Sequence, residues 1–144
     1  MTRLTRPTFA SFAAMLGVQL GKELNPGPGI LSIDFNGIPF MVAHDPATWG
    51  VDHVAFICDF GDIPKDRRGA ILEHLLMANI QMHGLWSPIF AIDPKTGHLV
   101  SIMALPLEML DAETTMQTFV KYAVVVHRWN TTHFLEEVVA GSST

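Results

Sequence analysis

The sequence predicts an α+β fold, with helices packed on a twisted antiparallel sheet. Three segments repeat apolar residues at helical spacing, and two pairs of strand-like runs flank turn signals at Asn36-Gly37 and Asp93–Gly97. The element order is helix, three-strand antiparallel meander, helix, strand pair, helix. The 144 residues hold no internal repeat, low-complexity stretch or long linker, so one domain is expected over 1–144.

The first helix is expected over residues 5–24, where Phe9, Phe12, Ala13, Leu16 and Leu20 share one face. Pro7 suits a first turn, and "NPGPG" from Asn25 ends the element. Gly17 and Gly21 are each unfavourable in a helix by about 1 kcal/mol relative to Ala, unless close packing requires them. Leu31, Ile33 and Phe35 then alternate with Ser32 and Asp34, and Asn36-Gly37 is a strong hairpin signal. Ile38, Phe40 and Val42 form the return strand, in which Pro39 marks an edge or a bulge because it cannot donate to a ladder. After a loop, "HVAFICDF" makes the third strand.

The second helix opens near Asp62 and Pro64 and closes at Gly84. One stripe carries Leu72, Leu76, Asn79, Ile80 and His83; the neighbouring stripe carries Ile71, Leu75, Ala78 and Met82. An apolar arc this wide exceeds what one sheet needs, so one stripe is expected to meet the sheet and the other a second subunit. "WSPIFAI" and "HLVSIMAL" are the strand pair, and "DPKTG" lies between them. Asp93 supplies a side chain that caps the local backbone and Gly97 a residue free to take positive φ, so this loop is read as a bend, not a ligand grip. Asp111 caps the last helix, which is expected to reach about Glu137 through a stripe of Met116, Phe119, Val120, Ala123, His127 and Phe134. A polar tail follows from about residue 140.

Composition narrows function. Hydrophobic residues make up 49% of the chain and charged ones 16%, with a net charge of −5. With a mean hydropathy of +0.29, the chain either packs very efficiently or leaves apolar surface for a partner. The acidic balance argues against nucleic acid, whose phosphates require clustered Lys and Arg. Neither a membrane-spanning run nor a signal-peptide pattern follows "MTRLTR", so a cytoplasmic location without membrane insertion is expected. Cys58, the one cysteine, sits in an apolar run and reads as a small buried hydrophobe. The histidines are poorly spaced for metal: His74 and His83 lie nine apart, His127 and His133 six apart. The aspartates Asp34, Asp45, Asp52, Asp59, Asp62 and Asp66 fall at turns and element ends, where they cap backbone. No nucleophile elbow or phosphate loop is present, and Trp49, Trp86 and Trp129 are read chiefly as packing residues. No catalytic residue, cofactor or metal is expected.

This element order, with "LLMANIQMHG" leading into "FAIDPKTGHLVSIMALPLEMLDAETTMQTFVKYA", resembles the class I type III secretion chaperones, the Tir-chaperone family. The matching positions are Leu75, Leu76, Asn79, Phe90, Asp93, Gly97, Leu99, Val100, Leu110, Asp111, Phe119 and Trp129. The likeness spans most of the chain and is specific in its second half; the first helix and the meander match by pattern. It implies a non-enzymatic bacterial homodimer that binds the extended chaperone-binding segment of a secreted effector and keeps it export-competent. The segment would lay apolar side chains into grooves formed by the first helix and the sheet, or add a strand at an edge. Candidates for those grooves or their floors are Phe9, Phe12, Leu16, Leu20, Leu31, Ile33, Phe35 and Val42, of which about half are expected to be ordinary core. Leu72, Leu75, Leu76 and Ile80, with Trp86 and Phe90, are the dimer candidates. Two rivals stay open: an α+β protein-binding domain unrelated to secretion, and a small-ligand binder or enzyme with a pocket between the sheet and the last helix.

Overall fold

Five strands, β1 (Ile30–Phe35), β2 (Ile38–Ala43), β3 (His53–Gly61), β4 (Ile89–Ile92) and β5 (Leu99–Pro106), form a single antiparallel sheet of order β1-β2-β3-β5-β4. The computed structural model describes residues 6–82, 84 and 86–135. The meander and the strand pair are therefore one sheet, joined where β3 pairs with β5 from His53↔Pro106 to Gly61↔Leu99. The longer β5, apolar on nearly every residue, takes the interior place, and the four-residue β4 becomes an edge, where a short strand exposes little unpaired backbone.

Both turn signals act as expected. Asn36 and Gly37 have φ of 52° and 83°, the mirror-image turn whose twist matches a two-residue hairpin. Between β4 and β5 the Asp93 side chain accepts the Lys95 N–H at 2.9 Å, and its carbonyl accepts the Gly97 N–H at 2.7 Å. "DPKTG" is a bend. Pairing of β2 with β3 starts at Phe40↔Cys58, one residue beyond Pro39, so the missing N–H falls where that ladder ends.

The helix α1 (Phe9–Leu20) is capped by Thr8, whose side chain accepts the Ser11 N–H while Ser11 returns the favour to the Thr8 N–H. Pro7 thus precedes the cap instead of lying in the first turn. The helix also stops earlier than Asn25. Gly21 adopts the left-handed conformation (φ 66°), and the Lys22 N–H folds back to the Gly17 carbonyl at 3.0 Å. A Cβ on Gly17 would lie 2.5 Å from the Lys22 carbonyl oxygen, so this glycine serves close approach. The loop expected to be irregular holds a short helical turn, α2 (Pro46–Trp49). Beyond Pro64 the chain makes a 3-10 turn, Lys65–Arg67, before α3 (Arg68–Gln81), so Asp62 does not cap this helix. Another 3-10 turn, Leu107–Met109, leads into α4 (Ala112–Thr132), and no extra strand precedes α4 among the described residues. The Asp111 carboxylate accepts the Thr114 N–H at 2.7 Å, as the cap signal implied.

One sheet face is the core. Leu31 and Ile33, Phe40 and Val42, Val54, Phe56 and Cys58, and Leu99, Met103 and Leu105 point to it, beneath α1 and α4. Phe56 meets Phe12 of α1 at 6.3 Å between ring centroids and Phe119 of α4 at 5.6 Å, and Phe40 meets Phe119 and Tyr122 at 4.9 and 5.5 Å. The buried stripe of α4 is Thr115, Thr118, Phe119, Tyr122, Val126 and Trp129, rotated from the expected one; Val120 is exposed. A run of valines is apolar on every side, so it cannot fix the phase. His133 takes a left-handed conformation (φ 52°) and ends the helix, letting Phe134 fold back against Phe60, Phe90 and Trp129. The expected continuation to Glu137, the polar tail and His83 lie outside the described residues, while the first helix, expected from residue 5, begins only at Phe9.

Gly17→Ala should destabilise the fold by about 1–3 kcal/mol, because backbone must move to admit the methyl group. Gly69→Ala, with open space around it on α3, should be neutral or slightly stabilising. Urea denaturation of both variants checks the contrast.

Candidate functional site

Among the described residues, the apolar side chains left in solvent include two surfaces that adjoin the sheet. Of the residues named as groove candidates, Phe9, Phe12, Leu16, Leu31, Ile33 and Val42 are buried in the subunit's own core, and only Leu20 and Phe35 are partly exposed. Their face is the one that α1 and α4 cover, so these six side chains are committed to holding helix against sheet. Among the dimer candidates, Leu75 and Phe90 are likewise core. Leu76 (69% exposed), Ile80 (74%) and Trp86 (38%) stand in solvent, with Leu72 half-buried between the two sets.

The first surface is the outer flank of α3 beside β4. Ile71 and Leu75 turn inward, leaving Leu76, Met77 and Ile80 outward, which is the two-stripe arrangement read from the sequence. Between helix and strand lies a recess of about 240 Å³ lined by Leu72, Leu76, Asn79, Phe90, Ile92 and Leu99 among others. Asn79 fixes this junction. Its side-chain Nδ2 donates to the Phe90 carbonyl at 3.0 Å and its Oδ1 accepts the Phe90 N–H at 2.8 Å. One amide thus pairs with the backbone of an edge strand much as a neighbouring strand would, and closes that edge.

The second surface is the sheet's other face. Register aligns Ser32, Met41, Ile57, Ile102 and Ile89 in a row across all five strands. Met41 is 40% exposed and Ile89 54%, although both belong to the sheet. Two residues along each strand, a second row places Asp34 opposite Pro39, and Asp59 opposite Val100, which in turn pairs with Ala91. Together with Lys22, Ile92, Asp93 and Pro94, the residues of both rows except Ile89 line an open hollow of about 750 Å³. The groove candidates read from the sequence lie on the opposite, helix-covered side of the sheet. The available signal was that "HVAFICDF" and "HLVSIMAL" are apolar at both parities, more than a sheet covered on one side requires.

At one end of the hollow, His98 Nδ1 lies 3.1 Å from both Asp59 oxygens, and its Nε2 lies 3.6 Å from Asp62 Oδ1. The Asp59 hydrogen bond raises the His98 pKa above its ordinary 6.5, against a smaller desolvation that lowers it; Asp59, Asp62 and Asp93 charges add to the rise. Cys58 is fully buried and its thiol is pushed up to about 12, chiefly by burial, so it is an inert hydrophobe as expected. Among the described residues, no group of three or more His, Cys, Asp or Glu is placed to hold a metal ion. Between the sheet and α4, the recess bounded by Trp86, Met103, Lys121 and Tyr122 measures about 130 Å³. That is below the roughly 300–1,000 Å³ of small-molecule sites, whereas a more open hollow between Ile38, Phe60 and His98 and the α4 residues Val126 and Asn130 measures about 400 Å³.

Two outcomes follow. Asn79→Ala orphans both backbone groups of Phe90 and should cost about 1–3 kcal/mol in chemical denaturation. Because the folded pKa of His98 is raised, its stabilising effect is complete below the unfolded value near 6.5 and is lost as pH rises through the folded value. In an NMR titration His98 should titrate above 6.5, and Asp59→Asn should bring it back toward the ordinary value.

With this geometry established, comparison with known proteins is informative. A search of curated proteins gives no significant match. Among solved structures, the fold is similar to a chain of the HopA1-SchA chaperone–effector complex, with TM-score 0.64 and 14% identity over 84% of this chain and 91% of that one. It is also similar to a chain of the ExsC-ExsE complex, with TM-score 0.65 and 16% identity over 82% of this chain and 87% of that one. A third similar chain belongs to the ExoT-SpcS complex from Pseudomonas aeruginosa, with TM-score 0.61 and 16% identity over 86% and 98%. At such identities these likenesses establish the fold. The family model of the Tir chaperone protein (CesT) family matches residues 10–125, from α1 into α4, and this chain belongs to that family.

Proposed function

We propose that this chain is a cytoplasmic, homodimeric chaperone that binds the extended chaperone-binding segment of a type III secretion effector, acts as one domain, and performs no chemistry of its own. Family membership supports the reading, as do the chaperone–effector complexes in which similar folds occur. The observation that carries it is the pair of uncovered apolar surfaces beside and across the sheet.

The outer flank of α3 is the proposed dimer surface, with Leu72, Leu76, Ile80 and Trp86 in contact and Leu75 and Phe90 holding the helix from behind. The sheet's open face and the β1 edge are the proposed seat for the effector segment. Asn79 closes the β4 edge, which leaves β1 as the edge open to an added strand. Phe9, Phe12, Leu16, Leu31, Ile33 and Val42 form the packed floor that keeps this sheet in shape, while Leu20 and Phe35 retain surface at its margin.

Leu76→Asp or Ile80→Asp should convert the dimer to a folded monomer by light scattering. A twofold interface buries each change twice, at about 2–4 kcal/mol per carboxylate. An unchanged dimer would remove α3 from the interface. Co-expression with secreted proteins of the same bacterium should capture an effector by its non-globular segment; co-purification of a small molecule and no polypeptide would contradict the chaperone reading.

A further inference from the structure

We infer that the segment seated on the open sheet face is amphipathic and basic, carrying a lysine or arginine two residues from an apolar side chain. This rests on the chaperone reading above and specifies the chemistry of its partner. In each strand the two rows are two residues apart, a distance of about 7 Å. The same interval separates successive same-side residues of an extended chain, so a segment running along the strands meets the apolar row and the row that carries Asp34 and Asp59 with residues i and i+2.

The charge is on the chain's side. Asp34, Asp59 and Asp93 line the hollow, where Lys22 is the one lysine or arginine among the described residues. Asp34 and Asp93 each direct one oxygen to a turn N–H, of Gly37 and of Lys95, at 2.8 and 2.9 Å. Those bonds hold the carboxylates in place without neutralising them. Asp59 differs, since His98 faces both its oxygens. An acidic or phosphorylated segment would meet uncompensated like charge here, and a wholly apolar one would leave two ionised carboxylates beside it poorly hydrated.

The test uses two fluorescent synthetic peptides with one alternating Val/Thr framework, bearing lysines in one and glutamates in the other at i+2 from the valines. The full-length chain should bind the lysine peptide roughly tenfold more tightly at low salt, as two partly exposed charge pairs allow. That preference should fall to about twofold in Asp34→Asn/Asp93→Asn, whose amide oxygens still cap both turns, and should shrink with added salt. Equal binding, a glutamate preference, no binding of either peptide, or a lysine preference untouched by the double substitution each overturns the inference. Capture of an effector by the wild-type chain in the same preparation keeps such a failure separate from failure of the chaperone reading.

Discussion

The whole arrangement depends on one layer of aromatic contact between the sheet and its two covering helices. Phe12 of α1 and Phe119 of α4 both rest on Phe56, at the middle strand, and Phe40 closes against Phe119 and Tyr122. Rings of this size bury 150–250 Å² each, and their edge-to-face geometry adds to the area burial. Because both helices are held on the same side, no described helix covers the other side of a sheet that is apolar at its centre.

The two edges of the sheet are treated as unequally as its two faces. At β4 the amide of Asn79 satisfies the outward backbone of Phe90, and the same helix turns Leu76 and Ile80 away from the sheet. A polar residue within an apolar stripe therefore has a structural job: it anchors the helix so that the remaining leucine and isoleucine side chains project outward together. At β1 no described side chain bonds across the edge in this way. A folded subunit with one closed edge, one open edge and an open face suits capture of an extended chain better than it suits a buried small-molecule site.

Much of this was legible in the sequence, and what was not has physical reasons. Asn36-Gly37 and Asp93–Gly97 bend the chain as their turn chemistry dictates, because positive φ and side-chain capping are local properties. The two stripes of α3 were visible from periodicity, and Asn79 stood out within a stripe, but its partner eleven residues away could not be read. Strand order was also hidden. Nothing local tells β5 to lie beside β3 and push the shorter β4 to the edge. The groove candidates show the sharpest limit: alternation sorted Leu31, Ile33, Phe40 and Val42 onto one face correctly, yet alternation does not say which face the helices cover. Gly21 ended α1 before the conspicuous "NPGPG" because a left-handed cap needs one glycine, not a proline.

The most direct test of the account is site-specific photo-crosslinking of the effector-loaded chaperone, with the reactive residue placed at Met41 on the open face or at Val120 on the solvent side of α4. Both positions are exposed in the free subunit. The account predicts that the effector is captured from Met41 and not from Val120. Crosslinks from Val120 with none from Met41 would mean that the covered side of the molecule carries the partner, and would contradict it.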